Sequence, residues 1–122
     1  MVLLGIDYGR RRIGLAVAVG SVIETSGFIL CGKDRKKIML KIKDICQERK
    51  VKKVIVGVSE GKMGEEIKEF AKGLKKVIRL AVELVDETLT SWQAEKLVGW
   101  KDKGRVDSVS AALILERYLE GR

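Results

Sequence analysis

The chain has 122 residues, with 25 Lys/Arg against 17 Asp/Glu, two cysteines and no histidine, so it can bury one core, and its formal charge of +8 favours a polyanionic partner. The missing histidine excludes Ser-His-Asp and Cys-His catalysis, a histidine general base and a zinc site of the Cys/His type within one chain. Chemistry falls to carboxylates, lysines or a hard metal ion, and Cys31 and Cys46 are expected to be reduced, packed thiols of a cytoplasmic protein without signal peptide or membrane span.

Val2, Leu3, Leu4 and Ile6 are strand formers, and Ile13, Leu15, Val17 and Val19 alternate with smaller residues as a second strand. Asp7 closes the first strand. Residues 8–12 read as a hairpin connection in which Gly9 supplies a backbone conformation other residues adopt reluctantly. A carboxylate at the end of an apolar strand needs a cation, a donor or water, and Arg10 and Arg12 are candidate partners across the turn. Gly20 and Ser21 turn the chain into a third extended segment, Val22–Leu30, so an antiparallel meander opens the fold. Residues 32–34 then start a helix with Ile38, Ile42, Ile45, Cys46 and Arg49 on one face. Residues 33–53 carry ten Lys/Arg against three acids, a local excess of +7, whereas residues 54–122 balance at twelve of each sign. The basic helix and the basic hairpin are the expected electrostatic footprint.

Lys53–Val58 is a continuous apolar run, as expected of a central parallel strand covered on both faces. Residues 59–64 read as a loop with two glycines. Residues 65–79 read as an amphipathic helix burying Ile67, Phe70, Ala71, Leu74 and Ile78, with acidic residues early, where they suit the helix dipole. Residues 80–85 form the next buried strand, which runs into Asp86-Glu87. Thr90 or Ser91 caps a short helix to about Leu97, a polar loop follows at 99–104, and residues 107–119 form the terminal helix. This order predicts an α/β fold with a mixed five-stranded sheet, the antiparallel β1-β2-β3 meander plus parallel strands, flanked by helices. It is the connectivity of a ribonuclease H-like domain, expected to occupy residues 1–122 without an internal boundary.

In that topology Asp7, Glu87 and Asp107 can converge. Asp107 heads a helix stripe continued by Ala111, Ile114, Leu115 and Tyr118, the face that must pack on the sheet. Three carboxylates in one small site repel each other unless a divalent cation neutralises them, and Mg²⁺ or Mn²⁺ needs neither His nor Cys. The implied chemistry is metal-assisted phosphodiester hydrolysis. Each acid also has a simpler use: Asp7 in an ion pair with Arg10 or Arg12, Asp107 as a helix cap, Asp86 as a hydrogen-bonding turn residue.

These residues resemble the YqgF/RuvX family of the ribonuclease H-like superfamily, whose members carry provisional names as pre-16S rRNA nucleases and, formerly, Holliday junction resolvases. GIDYGRRRIGLAV at 5–17 is similar to its N-terminal signature, VIVGV at 54–58 to its central strand, VELVDETLTS at 82–91 to its acidic segment and DSVSAALILERYL at 107–119 to its last helix. The resemblance implies Asp7, Glu87 and Asp107 as catalytic, metal-holding acids, and processing of an rRNA precursor during ribosome biogenesis. The chain departs from the pattern at Gly57-Val58-Ser59, where a proline is usual, at Thr88, where an arginine is usual, and in short segments around 59–64 and 98–106.

Two other functions compete. A junction resolvase would act on branched DNA as a symmetric dimer. A non-catalytic RNA- or ribosome-binding module would keep the fold and use Arg10, Arg11, Arg12, Lys36, Lys37, Lys41, Lys101, Lys103 and Arg105 on phosphates and Trp100 on an unpaired base. The first strand also resembles the phosphate hairpin of actin-like ATPases and sugar kinases, which need two such domains. The chain has no GxxxxGK[ST] loop.

Overall fold

The computed structural model describes residues 1–86, 94, 96 and 102–121. Its elements are β1 (Val2–Asp7), β2 (Arg12–Val19), β3 (Val22–Leu30), α1 (Arg35–Glu48), β4 (Lys53–Val58), α2 (Gly61–Ile78), β5 (Ala81–Asp86) and α3 (Lys103–Glu120). The short helix expected to end near Leu97 lies largely outside the described residues, as do residues 99–101 of the expected loop, whereas Lys103 and Gly104 are not loop but the start of α3, four residues ahead of the expected start at Asp107.

The five strands run in the order β3-β2-β1-β4-β5. β1, β2 and β3 form the antiparallel meander, while β4 pairs parallel with both β1 and β5. The predicted mixed sheet is therefore the observed one. The continuous run in β4 has its reason here, since a strand between two parallel neighbours is covered by helices on both faces.

Residue alternation along the strands sends side chains to two different cores. Leu4 and Ile6 of β1, Ile13, Leu15 and Val17 of β2, and Val54 and Val56 of β4 meet Ile38, Ile42 and Cys46 of α1 and Ile67, Phe70, Leu74 and Ile78 of α2. Leu3, Ala16, Ala18 and Ile55 point the other way and meet Ala111, Ile114, Leu115 and Tyr118 of α3. The sheet is thus sandwiched between α1/α2 and α3.

Several expectations about local structure change. α2 begins at Gly61, four residues before the predicted start, because Met63 joins Ile67 on the apolar stripe; packing overrides the weak helix preference of glycine. Its first turn consequently holds no acid, and Glu60 at the N-cap makes no side-chain cap bond. Arg49 lies outside the α1 stripe, as the exposed C-cap. β5 is an edge strand with Leu84 40% exposed, not the buried strand its composition suggested, since chain order alone does not say which strand ends a sheet. Gly9 is not left-handed; what it provides is space, because a Cβ there would lie 2.6 Å from the Arg12 carbonyl oxygen.

Candidate nucleic-acid-processing site

Asp7 is the last residue of β1 and is 9% exposed. Leu3 belongs to the α3 core and Gly5 lies against Leu115, so the two-residue period continues to Asp7 and puts it on the α3 face. The β1–β2 register sets Asp7 opposite Gly14. Gly14 in turn carries the backbone of Asp107: a Cβ on Gly14 would collide with the Asp107 carbonyl oxygen and sit 2.9 Å from the Asp107 Cβ. Asp7 and Asp107, 100 positions apart in the chain, therefore flank one glycine. At the next residue the Ser108 hydroxyl donates to the Leu15 carbonyl at 2.9 Å, a second tie of α3 to β2.

Asp107 is not the cap of its helix. Asp102 takes that part, its Oδ1 accepting from the Arg105 N–H at 3.1 Å, and α3 starts at Lys103. The half-buried Asp107 carboxylate lies more than a turn inside the helix, beside the sheet, and its Oδ2 accepts from Arg12 Nε at 2.6 Å. Arg12 and Gly14 are two apart on β2, hence on the same face.

Arg10 goes to the other side of the sheet. Its Nη2 and Nε bond Glu66 of α2 at 2.9 and 3.0 Å, the Tyr8 hydroxyl donates to the same carboxylate at 2.8 Å, and Arg35 approaches it at 3.6 Å. The Arg10 bond, then the Tyr8 bond, hold the Glu66 carboxyl below its ordinary pKa. Burial, and then the bond to Glu66, push the Tyr8 phenol up. Arg35 also stands 5.6 Å from the Tyr8 ring centre. Tyr8, Gly9, Arg10, Cys31, Lys33 and Arg35 surround a cavity of about 90 Å³. Glu66, Lys33 and Arg35 were not singled out from the sequence. The two basic residues lay in the charged segment without distinction, and nothing local ties Glu66 to a hairpin 56 residues away.

Of the other expected contact residues, Arg11, Lys36, Lys37, Lys41, Lys103 and Arg105 are exposed. Lys103 and Arg105 lie in the first turn of α3, ahead of Asp107 on the same helix; Lys36, Lys37 and Lys41 lie on α1, across the sheet from it. Asp86 closes β5 among Val58, Ser59, Gly61 and Lys68 at the start of α2. Glu87, Trp100 and Lys101 lie outside the described residues. Cys31 and Cys46 are free thiols, and burial pushes Cys46 up to about 11, which suits packing and not nucleophilic chemistry.

Asp7 and Asp107 offer oxygen donors alone, a set that suits Mg²⁺ or Mn²⁺ and not zinc. Among the described residues no group of three or more His, Cys, Asp or Glu is arranged to hold a metal. Also among the described residues, no helix is long and apolar enough to cross a membrane.

A two-faced α/β/α sandwich with an acidic residue closing β1 and another on the last helix is a ribonuclease H-like architecture. Its fold is shared by RuvC of T. thermophilus, solved with a Holliday junction substrate, with a TM-score of 0.66 and 14% identity over 99% of this chain and 96% of that one. The family model described as "RuvX: Holliday junction resolvase" matches residues 1–121, and the chain belongs to this family, known also as YqgF. A protein of Synechococcus elongatus provisionally named a pre-16S rRNA nuclease is 35% identical over 96% of this chain and 87% of its own length. One of Endomicrobium trichonymphae with the same provisional name is 36% identical over 97% and 94%.

Proposed function

We propose that the chain is a metal-dependent endonuclease, one nuclease domain over residues 1–122, that hydrolyses phosphodiester bonds in processing the 5′ end of pre-16S rRNA. The observation that carries this reading is the placement of Asp7 and Asp107 on either side of Gly14, in a chain whose relatives are named as nucleases. Asp7, Glu87 and Asp107 would be the catalytic acids and would hold Mg²⁺ or Mn²⁺. A bound ion of this kind supplies Lewis-acid polarisation of the phosphodiester and charge stabilisation at its departing oxygen.

The protein's own groups prepare that chemistry. Burial of Asp7 keeps water from screening its charge, and packing of α3 fixes where Asp107 stands. Arg11, Lys103 and Arg105 are exposed cations at the same end of the sheet and draw in the phosphate backbone, with Lys101 and a stacking Trp100 from the adjoining segment. Arg10, Lys36, Lys37 and Lys41 extend the basic surface around the hairpin and along α1. A second reading, cleavage of branched DNA, is favoured by the description of the family model.

The deciding experiment incubates the purified protein with labelled precursor rRNA and four-way junction DNA side by side, with Mg²⁺ or Mn²⁺. Cleavage of the RNA is expected, and Asp7→Asn is expected to abolish it while leaving the protein folded. Undiminished cleavage by Asp7→Asn would sink the catalytic assignment, and preferred cutting of the junction would establish the second reading. Salt-sensitive RNA binding without cleavage under any divalent metal would leave a binding module.

A further inference from the structure

We propose that Arg12 is the resident counter-cation of Asp107, which neutralises this carboxylate in the metal-free protein and competes with the divalent cation for it. The inference rests on the metal site proposed above. The guanidinium bonds Asp107 Oδ2 at 2.6 Å, with the Arg12 and Asp107 side chains only 27% and 21% exposed, so the pair is charge-assisted and shielded on most sides.

An arginine on a catalytic carboxylate has two possible uses, placing it or neutralising it. Here the Asp107 backbone is already placed by other contacts. The Asp107 backbone rests on Gly14, and the neighbouring Ser108 hydroxyl is bonded to the Leu15 carbonyl. Both ties fix the first turns of α3 on β2 without using the Arg12 side chain. What remains for Arg12 is charge, since Asp107 stands against the sheet at Gly14 and a carboxylate there without a cation would be costly. A divalent cation brought to these acids meets the guanidinium as a like charge and as a rival for Oδ2. Arg12 thus weakens metal binding and stabilises the metal-free fold.

The test is calorimetric titration of the full chain with Mn²⁺, without nucleic acid, for wild type, Arg12→Gln, Arg12→Lys and Asp7→Asn. Arg12→Gln should bind Mn²⁺ about five-fold more tightly at low salt, the size expected for losing one partly exposed ion pair. Arg12→Lys, which keeps the charge, should stay near wild type. In urea without metal Arg12→Gln should unfold earlier than wild type, and the difference should shrink as Mn²⁺ is added. If the glutamine variant is too unstable, Arg12→Met keeps the aliphatic stem and gives the same comparison. Equal or weaker Mn²⁺ binding by Arg12→Gln, with wild-type binding that depends on Asp7, would overturn the competition and leave the metal site standing. No Mn²⁺ binding by wild type, or binding indifferent to Asp7→Asn, would overturn both.

Discussion

The two faces of the sheet are packed by different means. Towards α1 and α2 the strands present Leu4, Ile6, Ile13, Leu15, Val17, Val54 and Val56, and the helices answer with large aliphatic side chains and Phe70. Towards α3 they present, besides Leu3 and Ile55, the small residues Gly5, Gly14, Ala16 and Ala18, and the α3 backbone comes to rest on the sheet at Gly5 and Gly14. Bulky residues hold their helices at a distance and build the larger core. Small residues bring one helix close, which carries Asp107 to the end of β1. The same division runs through the hairpin, where Arg10 pairs with Glu66 on the α2 side and Arg12 with Asp107 on the α3 side. The larger core lies on one face and the two candidate acids on the other.

The two faces should therefore fail differently. Leu74→Ala empties a fully buried position on the α2 face and should cost about 2–5 kcal/mol in urea unfolding, while metal binding by the folded fraction stays at its wild-type strength. Loss of metal affinity in the folded variant would show that the faces are coupled. Gly14→Ala is a smaller change at the close approach and should cost about 1–3 kcal/mol by overpacking. Because it pushes α3 away from β2, it should lower cleavage about a hundred-fold, a loss far out of proportion to its effect on folding. Cleavage at the wild-type rate by Gly14→Ala would break the comparison at its centre.

Glu66→Gln should have the smallest effect, visible mainly through pH. The Glu66 carboxyl is held low by Arg10 and then Tyr8, so its contribution to stability is complete above the ordinary carboxylate range and is lost as the pH falls through the lowered folded value. Urea midpoints of wild type should therefore fall on acidification more than those of Glu66→Gln, with the two curves converging at low pH. Parallel curves would mean that the Tyr8–Glu66–Arg10 cluster does not contribute to holding the hairpin.

Much of this architecture was legible in the residues because hydrophobic period is a local property. The alternation in β2, the unbroken run of β4 and the stripe from Asp107 to Tyr118 each specify an element and the face it buries, and the order of elements leaves few ways to connect them. What was misread depended on neighbours. The weak helix preference of Gly61 and Gly64 hid the first turn of α2, Asp102 took the capping place that Asp107 also suits, and β5 proved to be an edge.

The sequence by itself determined that any chemistry here would rest on carboxylates, lysines or a hard metal ion and not on histidine, that Asp7 would end an apolar strand, and that Asp107 would point towards the sheet. Only the tertiary structure decided which acid Arg10 and Arg12 each meet and which residues share a face. Arg10 and Arg12 are two positions apart on one turn, yet their partners lie 56 and 95 residues away, on helices packed against opposite sides of the sheet. The reason is physical. Period and propensity act over one or two turns of chain, whereas an ion pair is chosen by which elements packing has brought within a few ångströms, and at Gly14 that choice turned on the absence of a single side chain.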